Sequence, residues 1–433
     1  NKRAQQIARL LEDPRFVEQQ ANVWDEILFS RAPALLVRSR GPFQKWLKEQ
    51  FARNEPYDRW VRELLLAEKP GTEFFYLQYR NQPEDATVAV SRIFLGTQIQ
   101  CARCHDHPFN RWTQKDFYGM AGFFVRLDFV QRADKSYALG EKSTGEVLFT
   151  GSAKDQRPGK KGEPVSPKFL AGPELKEPPL PENFREVEKK GQPIKPFFSR
   201  KQKLAEWVTS ADNRTFAAAI TNRLWGQFLG RGLVHPVDDL DGPGSPRLPE
   251  VFDLLAREMV TLRFDLKAFL RELLNSEVYQ QAATGTVTAT LPNWYERARV
   301  RPLSAEELMA SLRAATGSSA KLDDRSFLKY FGEPSDGRGE FQGGLSEHLF
   351  LNNNRALWVM MQPAKGNLAE TLLESTEPWP ARVDRLFLSV LTRLPKSDER
   401  EYFVAYLNAD DQASRVSEAI WVLVNCAEFR FNH

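Results

Sequence analysis

The sequence is poor in cysteine and histidine and has no long apolar run. Its 433 residues include 3 cysteines and 5 histidines, too few cysteines for a fold held together by disulfides. No stretch approaches the ~20 apolar residues that a helix needs to cross a bilayer. Lysine and arginine total 60 against 57 acidic residues, which gives a net charge of +3. This balance argues against nucleic acid as a partner, because such proteins concentrate positive charge on one face.

Several catalytic signatures are also missing. The chain contains no GxSxG, HExxH or GxxxxGK[ST] motif, which argues against a nucleophile elbow, a zincin helix and a P-loop. The first residues, NKRAQQIARL, have neither an initiator methionine nor the pattern of a signal peptide. We therefore expect either a processed start or a chain that is part of a longer polypeptide.

A helical pattern covers most of the chain. Apolar residues recur at helical spacing in FQKWLKEQFARN, YDRWVRELLLAE and TNRLWGQFLG, and charged residues lie between them. Thr113 with Asp116, and Ser304 with Glu307, have the spacing of capping boxes, which begin helices. We predict a mostly α fold with minor β content around 127–152.

The composition changes between residues 153 and 196, where proline, glycine and lysine dominate. A compact core is not expected from such a segment, which is typical of an exposed linker. We therefore predict two helical domains joined by a long loop. The first domain covers 1–152, the linker or extended loop covers 153–196, and the C-terminal domain covers 197–433.

The segment QCARCHDHPFNRW contains two of the three cysteines and two of the five histidines. Cys101, Cys104 and His105 form the CxxCH pattern of c-type haem attachment. Two thiols on one turn can form thioethers with the two vinyl groups of the porphyrin, and the histidine then offers a ring nitrogen to the iron. We therefore predict haem c as the cofactor, with His105 as the metal ligand.

Four neighbouring residues are predicted to complete this cofactor site. Arg103 and Arg111 are placed to pair with haem propionates, and Trp112 is placed to line the edge of the cofactor. His107 either donates a hydrogen bond to a propionate or is a hydrogen-bonded loop histidine. The sequence does not indicate a sixth iron ligand, and an open sixth position is equally compatible with it. Met120 lies on the next predicted helix, and the distant candidates are His235, His348, Met360 and Met361.

Three alternative roles of the motif remain open. The thiolates of Cys101 and Cys104 and the imidazoles of His105 and His107 could bind Zn²⁺ or iron without a porphyrin. The two cysteines could form a redox disulfide, although the βαβ pattern of a thioredoxin fold is absent. The segment could also be purely structural.

Longer stretches of the chain have a family resemblance. RIFLGTQIQCARCHDHPFNRWTQKDFYGMAGFF resembles the signature of a planctomycete cytochrome-c-like domain family of unknown function. TNRLWGQFLGRGLVHPVDDL, RPLSAEELMASL and NCAEFRFNH resemble the C-terminal partner family with which it usually occurs. The resemblance implies a c-type haem and a periplasmic, extracellular or cell-surface location, but no known reaction. Many relatives carry a further cytochrome domain upstream, which implies a redox partner protein or domain.

We therefore expect an extracytoplasmic haem protein that acts in electron transfer or in haem-dependent oxidation. The alternative is a secreted binding or assembly module in which the Cys/His segment holds a metal or a loop. A third hypothesis is a hydrolase centred on His235, Asp238 and Asp239, although helix capping explains these aspartates as well. In that corner we expect Asn222 and Arg223 to act structurally, the arginine by pairing with one of the aspartates. The sequence is also compatible with a homo-oligomer.

Overall fold

The computed structural model describes residues 2–30, 37–149, 162–242, 246–283, 295, 297–320, 327, 331 and 345–432. Within these residues the protein is mostly helical and has only small sheets, which confirms the predicted fold class. The chain forms two compact units. Described residues up to 281, together with Tyr295, form unit 1, and those from 282 onward, apart from Tyr295, form unit 2. None of the described helices has the length and apolar character needed to span a membrane.

Helices build most of unit 1. They are α1 (Lys2–Leu11), α2 (Pro14–Phe29), α3 (Gly41–Ala52), α4 (Tyr57–Leu66), α5 (Phe74–Leu77), α6 (Pro83–Leu95), α7 (Gln114–Ala121), α8 (Arg200–Val208), α9 (Arg214–Leu229), α10 (Pro249–Thr261) and α11 (Leu266–Asn275). A 3₁₀ helix covers Gln100–Arg103, between α6 and α7. The inward-facing side chains form one apolar core that includes residues of both α1 and α11.

Two small antiparallel sheets accompany these helices. β1 (Leu127–Gln131) pairs with β2 (Tyr137–Glu141), and β3 (Val147–Phe149) pairs with β4 (Glu163–Val165). The strands up to residue 149 confirm the predicted β content. The end of that prediction, residues 150–152, lies outside the described residues.

Unit 2 is helical as well. Its helices are α12 (Ala305–Thr316), α13 (Leu345–Asn353), α14 (Arg355–Met361), α15 (Leu368–Glu374), α16 (Trp379–Leu391), α17 (Ser397–Leu407), α18 (Gln412–Asn425) and α19 (Ala427–Arg430). β5 (Arg301–Pro302) pairs with β6 (Phe431–Asn432). Side chains from all eight of these helices contribute to the core of this unit.

Both predicted capping boxes are present. The Thr113 hydroxyl accepts a hydrogen bond from the Asp116 N–H at 3.3 Å, and the Asp116 carboxylate accepts one from the Thr113 N–H at 3.0 Å. Ser304 and Glu307 exchange the same pair of bonds at 3.2 and 2.8 Å. Each box satisfies N–H groups that have no partner inside their helix, which explains why α7 and α12 begin where they do.

The predicted linker is described from residue 162 onward, and there it is part of unit 1. The ring of Phe169 stacks on Phe123 at 5.0 Å and on Trp207 at 4.9 Å. The two units divide near residue 282, and not at the predicted domain boundaries. The physical reason is that helices before and after the segment share one core.

A buried arginine joins this segment to the helices. The Arg200 side chain is 2% exposed, and its guanidinium pairs with Glu146 at 2.8 Å and with Glu177. It also donates to the carbonyl oxygen of Gly122 at 2.9 Å. Arg126 pairs with the same two glutamates at 2.6 and 2.8 Å. Because a charge removed from water is stable only when it is compensated, this network fixes the segment to the unit.

Replacing Arg200 by leucine is expected to lower the free energy of unfolding by about 1–3 kcal/mol, because Glu177, Glu146 and the carbonyl oxygen of Gly122 lose a charged hydrogen-bond donor. Arg185→Leu is the matched control, since Arg185 is exposed in the same segment, and it should change stability by less than about 0.5 kcal/mol. Urea unfolding followed by circular dichroism measures both. Equal, small losses for the two variants would contradict a structural role for the network.

Candidate cofactor site

The CxxCH motif lies on the turn between α6 and α7. The N–H groups of Cys104 and His105 lie 3.3 and 3.4 Å from the carbonyl oxygen of Cys101, which closes the turn. Both thiols are half-buried and are not bonded to each other. The structure therefore presents two free thiols and one imidazole on a single short turn.

The exposed ring of His105 has one nitrogen engaged with the backbone. Its Nδ1 lies 2.8 Å from the carbonyl oxygen of Asp106. A proton on Nδ1 is donated there, and that tautomer leaves Nε2 as the nitrogen with a lone pair for a metal. Metal-ligating histidines commonly donate their other ring N–H to a backbone carbonyl, so this arrangement fits an axial ligand of haem iron.

His107 is hydrogen-bonded within the loop. Its N–H donates to the carbonyl oxygen of Trp112 at 2.8 Å, and its Nδ1 accepts from the N–H of Phe109 at 3.3 Å. Burial lowers the pKa of His107 against the opposing charge of Asp239, and His105 lowers it further. The two hydrogen bonds of His107 hold the loop that follows the motif.

The other three predicted residues contact protein groups. Arg103 pairs with Asp85 at 3.0 Å, so a propionate would have to compete with that carboxylate. The guanidinium of Arg111 lies 4.7 Å from the ring centroid of Trp112, within the range of a cation–π contact. Trp112 is 4% exposed, and its Nε1 donates to Asp241 at 3.2 Å. Trp112 therefore supports the loop from inside.

A distant part of the chain meets the motif. It is the turn that follows α9 and carries Asp238, Asp239 and Asp241, which we call the acidic turn. The N–H of Leu240 in this turn donates to the carbonyl oxygen of Gly96 at 2.7 Å. Gly96 ends α6 with a φ of +59°, and a Cβ there would lie 2.8 Å from the Leu240 side chain. The close approach of the two backbones therefore requires glycine.

Two aspartates of the acidic turn are fixed by hydrogen bonds. Asp238 is 1% exposed and accepts from Arg92 at 2.9 Å and from Gln98 at 3.0 Å. Asp241 accepts from the hydroxyl of Thr97 at 3.0 Å, in addition to the indole described above. These bonds join the acidic turn to α6 and to the residues just before the motif.

Asp239 differs from its two neighbours. In the described part of the chain, no side chain donates a hydrogen bond to its carboxylate. Burial raises the pKa of Asp239, the charges of Asp238 and Asp241 raise it further, and His107 opposes them. The negative charge of Asp239 thus costs folding energy.

The partners of Arg223 differ from those expected from the sequence. Asp238 forms its ion pair with Arg92 of α6, whereas Arg223 donates to a backbone carbonyl of the same helix at 3.3 Å. The expected pairing of Arg223 with an aspartate is therefore wrong. Asn222 does act structurally, because its side chain donates to the carbonyl oxygen of Val234 at 2.8 Å and accepts from its N–H at 3.0 Å.

The hydrolase hypothesis gains nothing from this geometry. Asp238 is buried and its carboxylate is engaged with Arg92 and Gln98, so it offers no surface to a substrate. The peptide bond between His235 and Pro236 is cis. Among the residues that the structure describes, no group of three or more His, Cys, Asp or Glu side chains is placed to hold a metal ion.

Sequence reasoning missed the residues that connect the motif to the acidic turn, namely Arg92, Thr97, Gln98 and Asp241. Their hydrogen bonds join positions 140 to 146 residues apart, and no local spacing shows such a partnership. One feature of the sequence could have indicated them: VDDLDG contains three aspartates, more than are needed to cap one helix.

The fold and this site define a mostly α protein in which the residues before and after a CxxCH turn are hydrogen-bonded to an acidic turn. Residues 1–129 match the family model PSCyt2, a protein of unknown function (DUF1549), and residues 200–335 match PSD1, a protein of unknown function (DUF1553). Two regions of the chain thus match the paired planctomycete families of unknown function that its motifs resemble. No curated protein and no solved structure matches the chain.

The three aspartates of the acidic turn are expected to respond differently to replacement by asparagine. Asp238→Asn and Asp241→Asn should each lower the free energy of unfolding by about 1–3 kcal/mol, because buried donors lose a charged acceptor. Asp239→Asn should raise stability at neutral pH, because burial and like charges raise the pKa of Asp239 on folding. Urea unfolding of the three variants at pH 7 measures these effects.

The pH dependence of the Asp239 effect has a definite sign. A carboxyl group whose pKa is raised on folding costs no stability below its unfolded value, here 3.8, and costs most above its folded value. The advantage of Asp239→Asn should therefore grow as the pH rises from about 3.8 and then level off. Asp253→Asn, an exposed change on α10, serves as control. A loss of stability for Asp239→Asn at pH 7 would contradict the assignment.

Proposed function

We propose that the protein binds haem c and acts outside the cytoplasm in electron transfer or in haem-dependent oxidation. Cys101 and Cys104 would form the two thioether bonds, and Nε2 of His105 would bind the iron. The observation that supports this most is the turn itself, with two unbonded thiols and an imidazole whose Nδ1 is held by a backbone carbonyl. When bound, the haem supplies one-electron chemistry.

The residues after the motif hold its backbone in place. The Tyr118 hydroxyl donates to the carbonyl oxygen of Arg103 at 3.1 Å, and the side chain of Gln114 donates to the same oxygen at 3.4 Å. The carboxylate of Asp106 accepts from the Gln114 N–H at 2.9 Å, at the start of α7. The backbone is therefore anchored on both sides of His105, which keeps the ligand in one position.

The negative charge of Asp239 near the motif would favour the oxidised state of a bound haem. Asp239 interacts electrostatically with His107, which in turn interacts with His105. Negative charge and solvent exposure both stabilise the higher charge of ferric iron, and both are among the factors that set haem potentials. We therefore expect the bound haem to have a lower potential than a haem in a dry, uncharged pocket.

Protein exported from cells with a haem-attachment system is expected to keep one haem after denaturation. The double change Cys101→Ser and Cys104→Ser should abolish this covalent haem, because no thioether can form. His105→Phe should retain covalent haem in any protein that matures, with an altered reduced-minus-oxidised spectrum. Mass spectrometry of the denatured protein and absorbance spectroscopy measure these results.

Cys426→Ser provides the matched control. This third thiol is half-buried against the core of unit 2, where burial raises its pKa, and it lies outside the motif. The control should carry as much haem as the unchanged protein. An apo mass without haem bands, in protein taken from its native source, would overturn the proposal and favour the binding or assembly module. Metal analysis of that protein would then show whether the motif holds zinc.

A further inference from the structure

A cavity of about 710 Å³ borders α9, α10 and α11 of unit 1. Its volume falls within the range of sites that bury most of a small molecule, roughly 300–1,000 Å³. Its walls are mainly apolar and include Trp225, Val251, Leu255, Phe269, Leu273 and Tyr295. The cavity lies on elements that do not carry the CxxCH motif.

The apolar face of α10 borders both the core of unit 1 and this cavity. Val251, Leu255 and Met259 recur every four residues, the spacing of a helix face that packs inward. Met259 is fully buried, whereas Val251 and Leu255 are only partly buried and border the cavity. An apolar stripe that is left partly uncovered provides the wall that an apolar ligand requires.

The charge at the cavity has one sign. The two charged residues among those that line it are Glu258 of α10 and Glu272 of α11. Both are exposed, and neither has an ion-pair or side-chain hydrogen-bond partner in the described part of the chain. Carboxylates without a protein cation attract a positive group on a ligand, and their exposure keeps this attraction modest.

The aromatic wall adds a second attraction for a cation. The rings of Trp225 and Tyr295 lie 5.2 Å apart at 87°, and the Tyr295 hydroxyl donates to the carbonyl oxygen of Arg231 at 2.9 Å. Aromatic faces attract ammonium groups within about 6 Å. The Nε1 of Trp225 is buried and has no acceptor among the described residues, so this wall also carries an unsatisfied donor.

We propose that this cavity binds a small organic cation, an amine with an aromatic or branched aliphatic body. The body fills the apolar space between the helices, and the ammonium group lies at the rim beside Glu258 and Glu272. Recognition combines burial of the body with the charge of the two carboxylates and the aromatic wall. The site is independent of haem binding, since no residue of the CxxCH turn lines it.

A charge series of one ligand tests the proposal. Naphthylmethylamine, naphthylmethanol and naphthylacetate have the same ring and differ in charge, and calorimetric titration into the full chain gives their affinities. The ammonium is expected to bind about fivefold to tenfold more tightly than the alcohol, and the acetate more weakly than the alcohol. Equal affinities of the three probes, or no binding of the ammonium, would overturn the proposal.

Two pairs of substitutions locate the effect. Glu258→Gln with Glu272→Gln should remove the preference for the ammonium and leave the affinity for the alcohol unchanged. Glu250→Gln with Glu277→Gln is the control, because these exposed glutamates lie nearby in sequence but do not line the cavity. A preference that survives the first pair, or is lost in the second, would contradict the assigned rim.

A filling substitution tests the cavity itself. Val251→Trp places a large ring in the space and should abolish binding of all three probes, with helical content checked by circular dichroism. Retained binding in a folded Val251→Trp protein would place the ligand elsewhere and overturn the proposal. If this variant does not fold, the two glutamate pairs still decide the question, because they change only exposed side chains.

Discussion

The negative charge of the buried Asp238 carboxylate must be compensated by a cation and by hydrogen-bond donors. The structure around the CxxCH turn depends on the residues that provide them. A carboxylate removed from water costs several kcal/mol unless a cation and hydrogen-bond donors replace the lost water. Arg92 and Gln98 provide these partners from the end of α6 and from the residues after it. The same bonds that satisfy the carboxylate therefore hold the entry to the motif.

This constraint joins the first family region to the part of the second that lies in unit 1. Arg92 and Gln98 lie in the PSCyt2 region, and Asp238 lies in the PSD1 region. The apolar core of unit 1 includes side chains from both regions, and the Arg200 network attaches the segment between them. The boundaries of the family matches and of the compact units thus differ, because side chains from both family regions pack in the core of unit 1. In this chain the two family regions share one core.

Local features were predictable from sequence, and long-range partnerships were not. The capping boxes at Thr113 and Ser304 were correct because each depends on residues three positions apart. The pairing of Arg223 with an aspartate failed because the competing arginine, Arg92, is 146 positions from Asp238. The α10 stripe shows the same limit, since its period marks an inward face but not whether core or cavity lies beyond it.

The position of the motif also bears on which redox role is more consistent with the proposal. His105 is exposed, and Phe109, four residues later, is 76% exposed, so the turn lies at the surface of unit 1. Oxidation of a small substrate requires a site that encloses the substrate and excludes water. Transfer of an electron to a partner protein requires instead a redox group near the surface and a ligand that moves little. A haem bound as proposed on this exposed turn, whose flanking residues are held by α7 and by the acidic turn, would meet both requirements. Of the two proposed roles, electron transfer therefore agrees better with the exposure of the turn than oxidation of a small substrate does.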